Sequence, residues 1–275
     1  MSGDLGMVVT MTSDKKETVI KVIGAKKTDT KKTDAQQPGA QKPNMDNQDF
    51  SASRFYGPRF YGRRKGRPLR QTMQTLLAEK LPEVRFDLER HAAAQFSSPC
   101  ADVFLEIGFG GGEHIAGLAT QRPDAGFIGA EPFINGVASL LRHMQDDDID
   151  NIRIWDDDVR LIFASLADAS LAGAYVMFPD PWPKKRHAGR RILQDDVMNS
   201  LARLIRPGGS LVMASDDPTA KSWLLQAAMR HPAFDWTARC ADDWQIRPAD
   251  LPATRYMKKA ENEARHPAWF IFTRS

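Results

Sequence analysis

Phe178 to Arg191 reads FPDPWPKKRHAGRR and holds the densest chemistry in the chain. Pro179, Pro181 and Pro183 restrict the backbone on either side of Asp180 and Trp182, so a carboxylate and an indole sit in a stiff loop. Lys184, Lys185, Arg186, Arg190 and Arg191 follow, with His187 among them. An acid and an aromatic fixed together can hold a flat ring that donates hydrogen bonds. A cationic run beside them can hold a polyanion. The combination points to chemistry on a base within a nucleic acid. Trp182 has two readings, stacking on that base or packing beneath the loop.

A second constellation lies earlier, at Glu106-x-Gly108-x-Gly110-x-Gly112. Glycines at this spacing let the backbone turn tightly and lie against a ligand. A dinucleotide site is the obvious rival, but the third glycine of G-x-G-x-x-G would be residue 113, which is Glu113. Glu106 and Glu113 also put carboxylates where a pyrophosphate needs neutral donors. S-adenosylmethionine, with its sulfonium and ammonium groups, suits an acidic turn by Coulomb attraction. Glu131 lies roughly 20 residues further on, the place for an acid that accepts from ribose hydroxyls. Asp158 follows the next apolar run and can accept from an adenine amino group. Each acid also has a plain reading as a loop residue or helix cap. Three acids after three successive strands make coincidence a poor explanation.

These residues need elements to position them. Val103–Ile107 reads as a buried strand running into the glycine turn and a helix carrying Ile115, Leu118 and Ala119. Phe127–Ala130, Ile152–Trp155 and Ala174–Phe178 read as further strands, with a helix over Ile134–Met144. A helix over Leu193–Ile205 leads to a sharp Arg206-Pro207-Gly208-Gly209 turn, then a strand over Ser210–Ala214, a helix over Lys221–Met229 and a last strand over Trp269–Phe272. Alternating strands and helices imply an α/β fold, a mostly parallel sheet with helices on both faces. Ligands bind such sheets at the carboxyl ends of the strands, where Glu106, Gly108, Glu131, Asp158, Asp180 and Asp216 all fall.

Composition sets the outer bounds. The 275 residues carry a net charge of +3, so the local distribution of charge matters more than its total. Residues 1–53 are rich in Lys, Thr and Asp without periodicity and are expected to be a disordered extension, even around Thr18–Ile23. Residues 54–101 combine a basic-aromatic segment with N-terminal helices, and 102–275 form the main domain. Arg54, Arg59, Arg63, Arg64, Lys65, Arg67 and Arg70 alternate with Phe55, Tyr56, Phe60 and Tyr61, with no acid between them. That segment reads either as an RNA contact or as a basic linker docked by its rings. A helix over Gln71–Leu81 follows it, with Met73, Leu76, Leu77 and Leu81 on one side. Cys100 and Cys240 show no paired spacing, and the six histidines are scattered, so no metal is expected and a cytoplasmic setting is. No stretch approaches the ~18 apolar residues of a membrane span.

With both motifs in view, the chain from about Gly62 onward resembles the bacterial tRNA (guanine-N7)-methyltransferases, the TrmB family. The likeness is carried by LEIGFGGGEH (Leu105–His114), IGAEPF (Ile128–Phe133), FPDPWPKKRHAGRRIL (Phe178–Leu193), the RPGG turn, ASD (Ala214–Asp216) and TRYMKKA (Thr254–Ala260). It implies a Rossmann-like class I methyltransferase with a seven-stranded sheet, and transfer of a methyl group from S-adenosylmethionine to N7 of the variable-loop guanosine (position 46) of tRNA. It implies cofactor contacts at Glu106, Gly108, Gly110, Glu131 and Asp158, and a catalytic role for Asp180. It implies substrate contacts at Lys184, Asp216, Thr254, Arg255 and Tyr256, with Lys185, Arg186, His187, Arg190 and Arg191 against RNA. No obligate protein partner is implied. The family's distal motif reads T-x-[YF]-E; here Met257 stands in the glutamate's place, and Glu261 or Glu263 are the nearest substitutes. The rivals are an amino-group nucleobase methyltransferase and a non-catalytic RNA-binding module on the same fold.

Overall fold

The computed structural model describes residues 61–275 apart from 98–99, 255–256, 258–259 and 261–262. The 1–53 extension, the first part of the basic-aromatic segment, and Arg255, Tyr256 and Glu261 therefore lie outside the described residues. Helix α1 (Gln71–Val84) leads through a 3-10 turn (Ala93–Gln95) to β1 (Asp102–Ile107), α2 (Glu113–Gln121), β2 (Ala125–Ala130), α3 (Ile134–Asp146) and β3 (Ile152–Trp155). After two short 3-10 turns come β4 (Leu171–Met177), a 3-10 turn over Lys185–Arg190, α4 (Asp195–Leu204), β5 (Ile205–Ser215) and α5 (Pro218–Arg230). The chain closes with β6 (Phe234–Trp236), α6 (Asp242–Gln245) and β7 (Ala268–Arg274).

The strands form one sheet in the order β3-β2-β1-β4-β5-β7-β6. Neighbours from β3 through β5 pair in parallel, while β7 runs antiparallel to both β5 and β6. Central strands of a parallel sheet are covered on both faces, which is why β4 (LAGAYVM) is buried at every position. Successive side chains go to opposite faces. Phe104, Tyr175 and Met177 join the core built with α1, α2 and α3, while Leu105, Ala174 and Val176 join the one built with α4 and α5. The expected α/β architecture, seven strands with helices on both faces, is the one observed.

Three boundaries differ from expectation for local reasons. Strand β4 stops at Met177 because Phe178 turns into the left-handed region at φ 50°. Helix α4 starts at Asp195, after Gln194 adopts an extended conformation and Leu193 drops into the core. The Arg206–Gly209 turn lies inside β5 as an outward loop, because β5 pairs with Leu171 through Ile205 and regains register at Gly173–Ser210. Strand β6 has only three residues, too short to stand out as a periodic pattern.

The first turn of α3 holds the basic-aromatic segment against the domain. Asn135 accepts from Gly66 N at 2.8 Å and donates to Arg67 O at 2.8 Å, and Ile134 N donates to Arg64 O at 3.0 Å. Arg64 also meets Asp157 at 2.6 Å. The backbone of residues 64–67 is thus held to α3, while Arg63, Lys65, Arg67 and Arg70 remain exposed.

Candidate active site

The order of the sheet reverses between β1 and β4. Helix α2, after β1, packs on one face, and α4, after β4, packs on the other. The chain therefore diverges beyond the carboxyl ends of these strands and leaves a crevice, the usual ligand position in such sheets. A cavity of about 630 Å³ lies there, within the range for small-molecule sites. The glycine turn, Glu131, the Asp158 loop, Pro179–Asp180 and Tyr61–Arg63 all contribute to its wall.

Gly108, Gly110 and Gly112 all have positive φ, between 57° and 84°, so the turn needs residues without a Cβ penalty. Glu131 braces this turn. Its Oε2 accepts from Gly110 N and its Oε1 from Phe133 N, each at 2.8 Å. Burial pushes its carboxyl above the ordinary glutamate range, the two backbone donors oppose that, and the charges of Asp180 and Glu106 add to it. Glu106 is 2% exposed and takes Nδ1 of His114 at 2.8 Å.

On the facing wall, Phe178 (φ 50°) and Trp182 (φ 41°) bracket Asp180. Left-handed backbone costs roughly 1–2 kcal/mol per non-glycine residue. It persists here because Phe178 N donates to Ala214 O at 2.8 Å and its ring meets Trp269 edge-on at 5.9 Å. Such strain is typical of functional loops. Asp180 stays exposed on the cavity wall. Trp182 also lines the cavity, half-buried, with the Arg190 guanidinium 5.0 Å from its ring. Arg190 lies 5.1 Å from Tyr61 as well, which ties the Phe178–Arg191 loop to the N-terminal segment.

The structure brings Glu106, Gly108, Gly110, Glu131, Asp158, Asp180, Arg190 and Thr254 to one cavity. Asp158 arrives already engaged: Arg160 holds its carboxylate through Nε at 3.0 Å and Nη2 at 2.6 Å. Asp216 is not part of the lining and is paired with Arg265. Lys184, Lys185 and Arg186 are exposed and lie outside the cavity wall. His187 packs edge-on against Trp182 at 5.7 Å, and Arg191 donates to Trp182 O at 3.3 Å, so both brace the loop. Arg255 and Tyr256 lie outside the described residues.

Met257 is 4% exposed and belongs to the apolar core on the α2–α3 face, next to buried Thr254. The position that carries a glutamate in the resembled motif is thus filled with a core side chain. Glu263 does not stand in for it at the cavity, because it pairs with Arg265 at 2.7 Å. Sequence patterning also passed over His114 and Arg160. Arg160 follows Asp158 by two residues and His114 follows Gly112 by two, and such a following basic residue was the available signal.

Comparison with known proteins agrees with this geometry. The family described as putative methyltransferase matches residues 100–269. The tRNA (guanine-N(7)-)-methyltransferase of Rhodospirillum rubrum is 45% identical over 219 residues, covering 77% of this chain and 86% of that one. Its counterpart in Agrobacterium fabrum is 42% identical over 216 residues, covering 77% and 93%. The chain belongs to the tRNA (guanine-N7)-methyltransferase family. The family match begins just before β1, so Tyr61–Arg63 reach the cavity from outside the matched span.

Proposed function

We propose that this protein transfers a methyl group from S-adenosylmethionine to N7 of a guanosine in tRNA, the variable-loop position 46, and that it works in the cytoplasm. The observation that carries the reading is that one cavity joins an acid-flanked glycine turn to a strained loop presenting Asp180. The residues fit the cofactor: Glu106 and Glu131 offer anionic acceptors to a ligand with ammonium, sulfonium and ribose hydroxyl groups, and the glycines let it lie close. Bound there, the cofactor supplies an electrophilic methyl group on sulfur.

Guanine N7 has a free in-plane lone pair, so no base need remove a proton before attack. Accepting a methyl group at N7 would leave the ring with a positive charge. Asp180 accepts from the guanine N1–H and exocyclic amino group, aligning N7 and opposing the charge that develops. Adenine offers no N1–H there, so the same contact selects guanine. Trp182 and Arg190 wall the base side of the cavity, and Thr254 closes the side nearest Met257. Asp158 contributes to the adenine end through its loop, with Arg160 held against its carboxylate. Lys184, Lys185 and Arg186, with Arg63, Lys65, Arg67 and Arg70, grip the RNA backbone.

Labelled-methyl transfer to tRNA lacking 7-methylguanosine tests the reading. Label on N7 of a single guanosine is the expected product. Label on adenine or cytosine overturns the N7 assignment, and tight tRNA binding without transfer favours the non-catalytic module. The triple reversal Lys184→Glu/Lys185→Glu/Arg186→Glu is expected to weaken tRNA binding and lower the slope of log affinity against log salt by about two to three. An unchanged slope would show that this run does not meet phosphates.

Glu131 predicts a pH dependence. Its folded carboxyl takes a proton at higher pH than the unfolded chain's does. The stability it contributes is complete below the unfolded value and is lost as pH rises through the folded one. Cofactor affinity runs the other way, because only the ionised group accepts fully from ribose hydroxyls. Titration calorimetry should show affinity falling on acidification before the ordinary glutamate range is reached, and Glu131→Gln should give weak, pH-independent binding over that window.

A further inference from the structure

Glu106 and His114 are each 2% exposed, and both reach the cavity wall. Glu106 Oε2 takes His114 Nδ1 at 2.8 Å, which makes Nδ1 the protonated nitrogen of the ring. The imidazole stands edge-on to Tyr175 at 5.2 Å, which fixes its plane. Two polar atoms are left over. Glu106 Oε1 has no hydrogen-bond partner among the described residues and, unlike His114 Nε2, is not sealed off, so it opens on the cavity; His114 Nε2 is sealed from solvent without a partner. Glu106 is thus the only hydrogen-bonding partner of this ring among the described residues.

A nearly buried carboxylate whose open oxygen faces a cavity gains from a ligand that supplies a donor there. The oxygens of Glu131 are already met by Gly110 and Phe133, and the carboxylate of Asp158 by Arg160. Of the three buried acids at the cavity, Glu106 alone has an oxygen wholly in reserve. An ammonium group, cationic and carrying three donors, is the complement of such an atom. We propose that His114 is a positioning residue for the amino-acid arm of the cofactor: by holding Oε2, it turns Oε1 of Glu106 to receive the α-ammonium. This rests on the S-adenosylmethionine reading above. The sealed Nε2 is consistent with a ring kept for Glu106 rather than for a wider network.

The test is titration calorimetry without tRNA, using S-adenosylhomocysteine and 5′-methylthioadenosine, which lacks the amino-acid arm. His114→Phe keeps the ring against Tyr175 but removes the donor. It is expected to weaken S-adenosylhomocysteine about tenfold or more while leaving 5′-methylthioadenosine within about twofold. His114→Asn, whose side-chain N–H can replace Nδ1–H, is expected to restore most of the loss. Equal weakening of both ligands would show a merely structural role and overturn the proposal, as would an unaffected Phe variant or an Asn variant as weak as Phe. Wild-type protein gives an independent check should the Phe variant not fold. Deaminated S-adenosylhomocysteine is expected to bind at least about tenfold more weakly than the parent, and equal binding overturns the proposal. Wild-type protein that binds neither probe would instead refute the cofactor reading itself.

Discussion

Asp180→Ala is expected to reduce methyl transfer to tRNA by about a thousandfold while the cofactor binds as in wild type. The size follows from removing a preorganised group that acts where charge develops, typically worth 10²–10³ in rate, together with the loss of base alignment. The cofactor is spared because Asp180 is exposed at the end of its loop, while the glycine turn is braced by Glu131 and not by Asp180. Single-turnover transfer with saturating tRNA, paired with calorimetry for S-adenosylhomocysteine, separates the two effects. Near-normal transfer would remove Asp180 from its role. Equal loss of transfer and cofactor affinity would show that the loop supports the cavity as a whole. Asp180→Asn is a finer probe: its carbonyl can still accept from one guanine donor, so it should retain more activity than Ala.

The second large effect is expected at a residue with no side chain. Gly136, in the first turn of α3, packs against the glycine turn so closely that a Cβ would stand 2.0 Å from Gly110 O and 3.4 Å from Cγ of Glu131. Both obstacles belong to the cavity wall, and the nearer one is backbone. Gly136→Ala must therefore push α3 away or displace Gly110, whose N–H is the donor to Glu131. Overpacking of this kind costs about 1–3 kcal/mol or more. For a domain this size that is a fall in Tm of roughly 2–4 °C per kcal/mol. Affinity for S-adenosylhomocysteine should drop at least about tenfold in the same variant. Gly189→Ala is the control for stability, since nothing lies within 4 Å of a Cβ there. A Gly136→Ala protein with wild-type Tm and affinity would mean that α3 and the turn can separate freely.

The contrast between Asp180 and Gly136 shows how far the chain could be read in advance. Asp180 stands out because its constraint is local: prolines on both sides stiffen its loop whatever the rest of the protein does. The glycine turn is legible for the same reason, since positive φ at Gly108, Gly110 and Gly112 is a property of adjacent residues. Gly136 is silent, because its requirement comes from a carbonyl that only packing brings near. Asp216 follows a strand and looks like the other acids, yet Arg265, reached only through β7 and the segment before it, takes its carboxylate. Arg190 and Arg191 look like two more cations in a basic run. Tertiary contacts turn one toward Tyr61 and Trp182 and the other to a loop carbonyl, while Lys184, Lys185 and Arg186 stay exposed.

Sequence alone therefore determined the order of strands and helices from α1 to α5, the two turns that meet at the cavity, and the placing of Glu106, Glu131 and Asp180 at strand ends. Those features depend on periodicity and on residues within a few positions of one another, so they can be read along the chain. Tertiary structure decided which acids keep an oxygen in reserve, which cations remain exposed, and that Met257 fills core space where the resembled motif has a glutamate. A buried side chain takes its hydrogen-bond or packing partner from whatever the fold brings beside it, and that competition has no trace in the local sequence.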